Sequence, residues 1–539
     1  MDFDSNAVDL ESLDEGHRLG RRSFLIGAFA TGAAASGTLN YAAMARARRF
    51  PLAKHGTFNL GVSSGFPRPR GIVLWTRLGG VSRSSKMRLL VAKDRHFNKV
   101  VHEKDVVASS KQDFTARSFV KGLDPSEEYF YRFTTKNNSS PVGHFRTAPP
   151  KDSARPLKIV FYSCQNYQSG FYNVQRAIAK ERDVDLVVML GDYVYESDYY
   201  EARKVRDDAT GRNKDGVVEF PDEWREKYRL YKGDPDLKAM HAAHPYTVIW
   251  DDHEVENNQA GRQGPGAGAA PNETDDGHPR RLTYEQRRIN AYQAFFNYHP
   301  RIRFKGDRDR IYEHRRLGKL VDLILTDERQ YRAPQPCNDG IVTPCPEAAL
   351  ARAMLGDQQK DWFKRTLAGS RATWKLWGNE VMLMGFQISP ASDAILDEWD
   401  GYQAERAELM DHITANGIKN VVGLTGDLHN FFAGSVSRDG KGAAPAAMTE
   451  FVSSSATSLG LPEETGLTPT FLDALKPQNP QWKYAEFASR GYGVLDVTAN
   501  DVQVTFKKPA TVTTANNSAT STLAKFRVAK DSTTVEQLS

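Results

Sequence analysis

The chain has 539 residues, 40% of them hydrophobic and 26% charged. That length exceeds one compact domain, and that composition excludes disorder over most of it. The net charge of +5 is small for this length and includes no long basic run, which excludes a dedicated nucleic-acid binder.

Residues 1–47 read as a leader. Gly20-Arg21-Arg22-Ser23-Phe24-Leu25 precedes a short stretch of Ile, Gly, Ala and Phe, then small residues, with Ala43-Met44-Ala45 and Ala45-Arg46-Ala47 as candidate cleavage sites. This order resembles a twin-arginine signal read by the Tat translocase, and implies export to the periplasm or outside. The apolar stretch is too short to span a membrane.

Residues 48–150 read as a small all-β domain. Leu89–Ala92, Lys99–His102 and Tyr129–Phe133 are β-rich runs separated by turn residues. Gly122-Leu123-Asp124-Pro125 followed by Tyr129 resembles the late-strand corner of a fibronectin type III-like sandwich. Thr147–Lys151 is a linker.

From 151 to 510 the pattern becomes α/β. Leu157–Tyr162 and Val184–Leu190 are buried-strand runs with a helix over Gly170–Arg182 between them; Thr247–Trp250 and Asn420–Leu424 are further strands. Gly261–Gly277 reads as a loop, and 511–539, rich in Thr, Ser and Ala, as a C-terminal tail. Of the three cysteines, Cys337 and Cys345 share one Pro-rich loop and are expected to pair after export. Cys164 stands apart.

Four strand ends carry metal-ligand side chains: Ser163-Cys164-Gln165, Gly191-Asp192-Tyr193-Val194-Tyr195-Glu196, Asp251-Asp252-His253-Glu254 through Asn257-Asn258, and Gly426-Asp427-Leu428-His429. An aspartate after a strand is by itself an ordinary turn or cap, and a lone cysteine is most often structural. The four together carry the argument, because clustered carboxylates repel unless a cation neutralises them. Asp192 is the candidate bridge between two ions. Tyrosinate from Tyr195 favours a ferric ion, Cys164 adds a soft thiolate, and His429 an imidazole. Asp427, Asp252 and an amide oxygen from Asn258 or Asn257 form an oxygen-rich second set suited to calcium, magnesium or manganese.

These motifs resemble the metallophosphoesterase superfamily, and specifically the PhoD-like alkaline phosphatase D family, from about Phe58 to about Thr498. Val73-Leu74-Trp75-Thr76-Arg77, Asp327-Glu328-Arg329-Gln330-Tyr331-Arg332 and Trp399-Asp400-Gly401-Tyr402 add to the match. The resemblance implies an α/β fold: a metallophosphoesterase-type β-sandwich flanked by helices, preceded by a fibronectin type III-like domain. It implies hydrolysis of phosphomonoesters and diesters with Fe3+ held by Cys164, Asp192, Tyr195 and His429. Ca2+ would be held by Asp192, Asp427, Asp252 and Asn258. His253 is a candidate proton donor, beside Asp252, and Arg329 a candidate phosphate ligand. Tyr193, Tyr199 and Tyr200 line a substrate mouth or pack in the core. Rival readings are a phospholipase D-like phosphodiesterase acting on phospholipid headgroups, a non-catalytic protein bound to cell wall or membrane surface, and an exported ferric oxidase.

Overall fold

The computed structural model describes residues 50–198, 203–262, 277–339, 344–389, 392–393, 395–515 and 519–539. The leader with Arg21 and Arg22, Tyr199 and Tyr200, and most of the Gly261–Gly277 loop lie outside these residues.

The apolar runs form two large mixed sheets. One has ten strands, with Leu157–Tyr162, Leu186–Leu190 and Tyr246–Ile249 parallel at its centre. The other has seven, with Val321–Leu325, Trp374–Asn379 and Val421–Thr425 parallel at its centre. Alternation explains how they stack. Leu323, Leu325, Leu376, Val422 and Leu424 point inward and share one core with Ile159, Val160, Val187 and Val188. Ile324, Trp377 and Val421 point outward, beneath Phe363 and Leu367 of the helix Asp357–Gly369 and Leu409, Met410 and Ile413 of the helix Gln403–Ala415. Strands covered on both faces read as unbroken apolar runs, which is why they stand out in the sequence.

The N-terminal all-β domain shares a sheet with the α/β part. Val62–Arg68, Gly71–Arg77 and Thr115–Lys121 continue the ten-stranded sheet, through a parallel pairing of Gly65 with Tyr246. Gly65 is required there, since a Cβ would lie 2.6 Å from the Tyr246 carbonyl oxygen. The other face of these strands packs on a four-stranded sheet through Ile72, Leu74, Leu89, Tyr131 and Phe145. In the expected corner, Asp124 N–H donates to the Tyr129 hydroxyl at 2.9 Å.

The end of the chain corrects the expectation of a tail over 511–539. Ser521–Ala529 pairs antiparallel with Asp501–Lys508, and Glu536–Gln537 adds the edge. Ala524, Phe526 and Val528 alternate inward, and Phe526 meets Phe451, Tyr484 and Phe506. The Thr- and Ser-rich composition masked this period-2 pattern. Among the described residues no helix is long and apolar enough to cross a membrane.

Candidate metal centre

Parallel strands from both sheets end at one place, so the loops that follow them converge. Cys164 follows Leu157–Tyr162, Asp192 follows Leu186–Leu190, Asp251 and Asp252 follow Tyr246–Ile249, and Asp427 follows Val421–Thr425. Cys164, Asp192, Asn258, Asp427 and His429 all adopt left-handed backbone, with φ of 56°, 57°, 53°, 59° and 58°. Non-glycine residues take that conformation at a cost, and such residues gather at functional sites. Two glycines let the loops close. A Cβ on Gly191 would lie 2.4 Å from Asp251 Cβ, and one on Gly426 would lie 2.6 Å from Ser163 Cβ.

The structure brings the predicted ligands into overlapping groups. Donor atoms of Cys164, Asp192 and His429 lie within 4.8 Å of one another, as do those of Asp192, Asp252 and His253. Asp251, Asp252 and Asp427 form a third group. Tyr195 joins the first: its hydroxyl donates to Asp192 Oδ2 at 2.9 Å, lies 3.3 Å from His429 Nε2, and accepts from Ser458 Oγ at 2.7 Å. Asn258 joins the oxygen-rich side, where its N–H donates to Asp252 Oδ2 at 2.6 Å. Cys164 is a buried free thiol, while Cys337 and Cys345 are disulfide-bonded.

The electrostatics favour added positive charge. Burial, with added repulsion from neighbouring carboxylates, pushes Asp192, Asp251 and Asp427 well above the usual carboxylate range. Burial also pushes the Cys164 thiol up, reinforced by Asp192 and Asp427. Asp251 Oδ2 is buried without a hydrogen-bond partner. Cations between these groups would remove both penalties. The donor set therefore fits metals: thiolate, phenolate, imidazole and carboxylate on one side, oxygen donors only on the other.

Arg329 stands elsewhere than expected. It is fully buried, and each guanidinium nitrogen is committed to a carboxylate: Nε to Asp251, Nη1 to Asp397 at 2.6 Å and Nη2 to Asp427 at 2.8 Å. In this arrangement it is an internal counter-ion to those three carboxylates. Tyr193 is also buried, stacked on Tyr228 and edge-on to His299, so it packs the core.

His253 lies over the Tyr195 ring, centroids 4.1 Å apart, with Nδ1 2.9 Å from Glu196 Oε2. Burial opposes its charge, but Asp192, Glu196 and Asp252 outweigh that and raise its pKa well above normal. Glu196, Glu254, Glu464, Asp251, Asp339 and Asp397 complete the surroundings, and reading by motif left them without roles. Glu464 Oε1 lies 3.0 Å from His429 Nδ1, the arrangement by which a carboxylate orients a ligating imidazole. The Asp251-Asp252 doublet and the final Glu of Gly-Asp-Tyr-Val-Tyr-Glu were the available signals.

A family profile described as PhoD-like phosphatase matches residues 159–506, and that of the PhoD-like N-terminal domain matches 43–149. The chain belongs to the PhoD-like phosphatase family. With that family it is a phosphoric ester hydrolase of metallophosphoesterase fold. It is 32% identical over 499 residues to alkaline phosphatase D of Bacillus subtilis, across 89% of this chain and 82% of that protein. A solved structure of PhoD superposes with a TM-score of 0.80 at 32% identity, covering 90% of this chain and 93% of that one. The purple acid phosphatase PPD1 from yellow lupin superposes at 0.54 with 12% identity, over 87% and 74% of the two chains, which shows a shared fold.

Proposed function

We propose that this chain is an exported hydrolase that releases phosphate from phosphomonoesters and also cleaves phosphodiesters, using a ferric ion and calcium. The observation that carries the reading is a chain of shared carboxylates: Asp192 joins Cys164 and His429 to Asp252 and His253, and Asp252 joins these to the all-oxygen group with Asp251 and Asp427. Cys164, Asp192, Tyr195 and His429 would hold the iron; Asp192, Asp252, Asn258 and Asp427 would hold calcium, with Asp251 alongside. When bound, such ions supply Lewis-acid charge that offsets the phosphoryl oxygens and acidifies water. The name of the Bacillus subtilis relative supports monoester cleavage.

The chain's own residues do the rest. Glu196 Oε2 holds His253 by Nδ1 at 2.9 Å, and Asp192, Glu196 and Asp252 together favour the protonated ring against its burial. That imidazolium is suited to protonate a departing alkoxide. Asp252 orients the same loop by accepting His253 N–H at 2.9 Å. Arg329 keeps Asp251, Asp397 and Asp427 together before any cation or substrate arrives. The leader Arg21-Arg22 supports passage through the Tat translocase.

The test is metal analysis of the purified protein beside turnover of a nitrophenyl monoester, the matching bis-ester and a phospholipid. Iron and calcium with monoester and diester turnover uphold the reading. Zinc in place of iron removes the ferric assignment, and headgroup release without monoester turnover favours the phospholipase D-like alternative.

A further inference from the structure

Asn258 has its polar groups accounted for almost completely. Its N–H donates to Asp252 Oδ2 at 2.6 Å, and its carbonyl accepts from Gln335 Nε2 at 2.8 Å. Its side-chain Nδ2 donates to Asp339 Oδ2. Among the described residues no hydrogen bond reaches Oδ1. The two ends of an amide are nearly the same shape, and only the partners decide which way it turns. Here Asp339 Oδ2 accepts from the nitrogen end, which leaves the oxygen end available.

Asp339 reaches Asn258 from an unusual backbone. Cys337, Asn338 and Asp339 are consecutive non-glycine residues with φ of 52°, 52° and 57°. Left-handed L-residues occur singly and do not persist in succession without constraint. Constraint is present on both sides. Cys337 is bonded to Cys345, and its N–H donates to Glu347 Oε2 at 3.3 Å. Gln335 donates to Asp397 Oδ1 at 2.5 Å, and Asp397 is itself paired with Arg329 and Arg332. Gln335, Cys337 and Asp339 are thus tied into the carboxylate network beside the oxygen-rich group.

We propose that Asp339 is a positioning residue for the oxygen-rich cation site, turning the Asn258 amide so that Oδ1 is presented to the cation, and that the Cys337–Cys345 disulfide holds Asp339 in the backbone that reaches it. The proposal rests on the reading of Asn258 as a ligand of that site. Its consequence is that cation affinity depends on a disulfide that contributes no ligand. Disulfides persist in oxidising compartments, so the complete site belongs to the exported protein.

The test is calcium titration calorimetry on the full-length, iron-loaded, calcium-stripped protein, with iron counted in every sample. Asn258→Ala and Asp339→Ala should each weaken calcium binding by roughly 10- to 100-fold, the range for loss of groups that support a metal site. Asp339→Asn keeps an acceptor oxygen for Asn258 Nδ2 and should stay near the wild-type affinity. Because a chemical reductant would also reach the iron, Cys337→Ser/Cys345→Ser stands in for the dithiol form; it should weaken calcium binding toward the lower end of that range with iron retained. Wild-type affinity in Asp339→Ala, with Asn258→Ala impaired, overturns the positioning role. Equal damage from Asp339→Asn and Asp339→Ala overturns it too, since charge and not orientation would then matter. Wild-type affinity in the serine double variant overturns the part given to the disulfide. Wild-type affinity in Asn258→Ala instead removes Asn258 as a ligand, a failure of the underlying reading.

Discussion

The carboxylate of Glu254 holds the backbone of Asp192. Glu254 Oε2 accepts the Asp192 N–H at 3.1 Å and the Asp251 N–H at 2.7 Å, while Oε1 accepts the Tyr193 N–H at 2.6 Å. One buried side chain thereby clamps together two loops that follow different strands and carry Asp192, Asp251 and Asp252. Glu254→Ala leaves three buried N–H groups without an acceptor. It is expected to destabilise the protein by about 3 kcal/mol and to lower metal content together with activity. Thermal melts and metal analysis check this; a stable, fully loaded variant would show that the clamp is dispensable.

Gly191→Ala is expected to act at the same junction. The added methyl would meet Asp251 Cβ at 2.4 Å, at a residue with φ of 104°. The clash and the backbone strain together should cost about 3 kcal/mol. Loss of the metal-bound form, read by metal analysis after purification, should accompany the drop in melting temperature.

Phenolate or thiolate on a ferric ion absorbs visible light, so the pure protein should be coloured. Tyr195→Phe removes the hydroxyl that lies between Asp192 and His429 while keeping the ring on His253. The band should shift or fade and activity should fall by roughly 10- to 100-fold. An unchanged spectrum in this variant would remove Tyr195 from the iron.

Metal removal should make stability depend on pH with a definite sign. Without cations, burial and mutual repulsion hold Asp192, Asp251 and Asp427 well above the usual carboxylate range. The folded state then binds more protons than the unfolded state over the interval between the two pKa values. Stability contributed by these groups is present at acid pH and is lost as pH rises through the raised values. The raised His253 has the same sign. Asp252, held low by Arg329 and His253 against its burial, opposes them only as pH falls toward its depressed value. The gap in melting temperature between metal-loaded and stripped protein should widen from pH 5 to pH 9. A gap that stays constant over this range would contradict it. Removing calcium alone should abolish turnover reversibly with iron retained.

Glu196→Gln tests the proton donor. The amide no longer favours charge on His253, so turnover should fall most for esters with poor leaving groups such as alkyl alcohols. A nitrophenyl ester, which needs little protonation, should lose much less. Equal losses on both substrates would remove His253 from that role.

Much of this centre was legible in the chain because its pieces are local. A buried strand is an unbroken apolar run, and its exit motif is contiguous, as in Leu186–Leu190 followed by Gly191-Asp192-Tyr193-Val194-Tyr195. The donor chemistry of Cys, Tyr, His and Asp belongs to the side chains themselves, so the kinds of metal they suit could be read without coordinates. The alternation of Ala524, Phe526 and Val528 was also present, but polar neighbours concealed it.

What only the tertiary structure decided is which groups face one another across loops far apart in sequence. Arg329 looks like any phosphate-binding arginine until Asp251, Asp397 and Asp427, 68 to 98 residues away, are seen to occupy its guanidinium. The Asn258–Asp339 pair spans 81 residues and depends on a left-handed segment that no propensity predicts. Side-chain type sets what a residue can bind; burial and long-range contact set what is left for it to bind, and those arise only when both sheets have closed on each other.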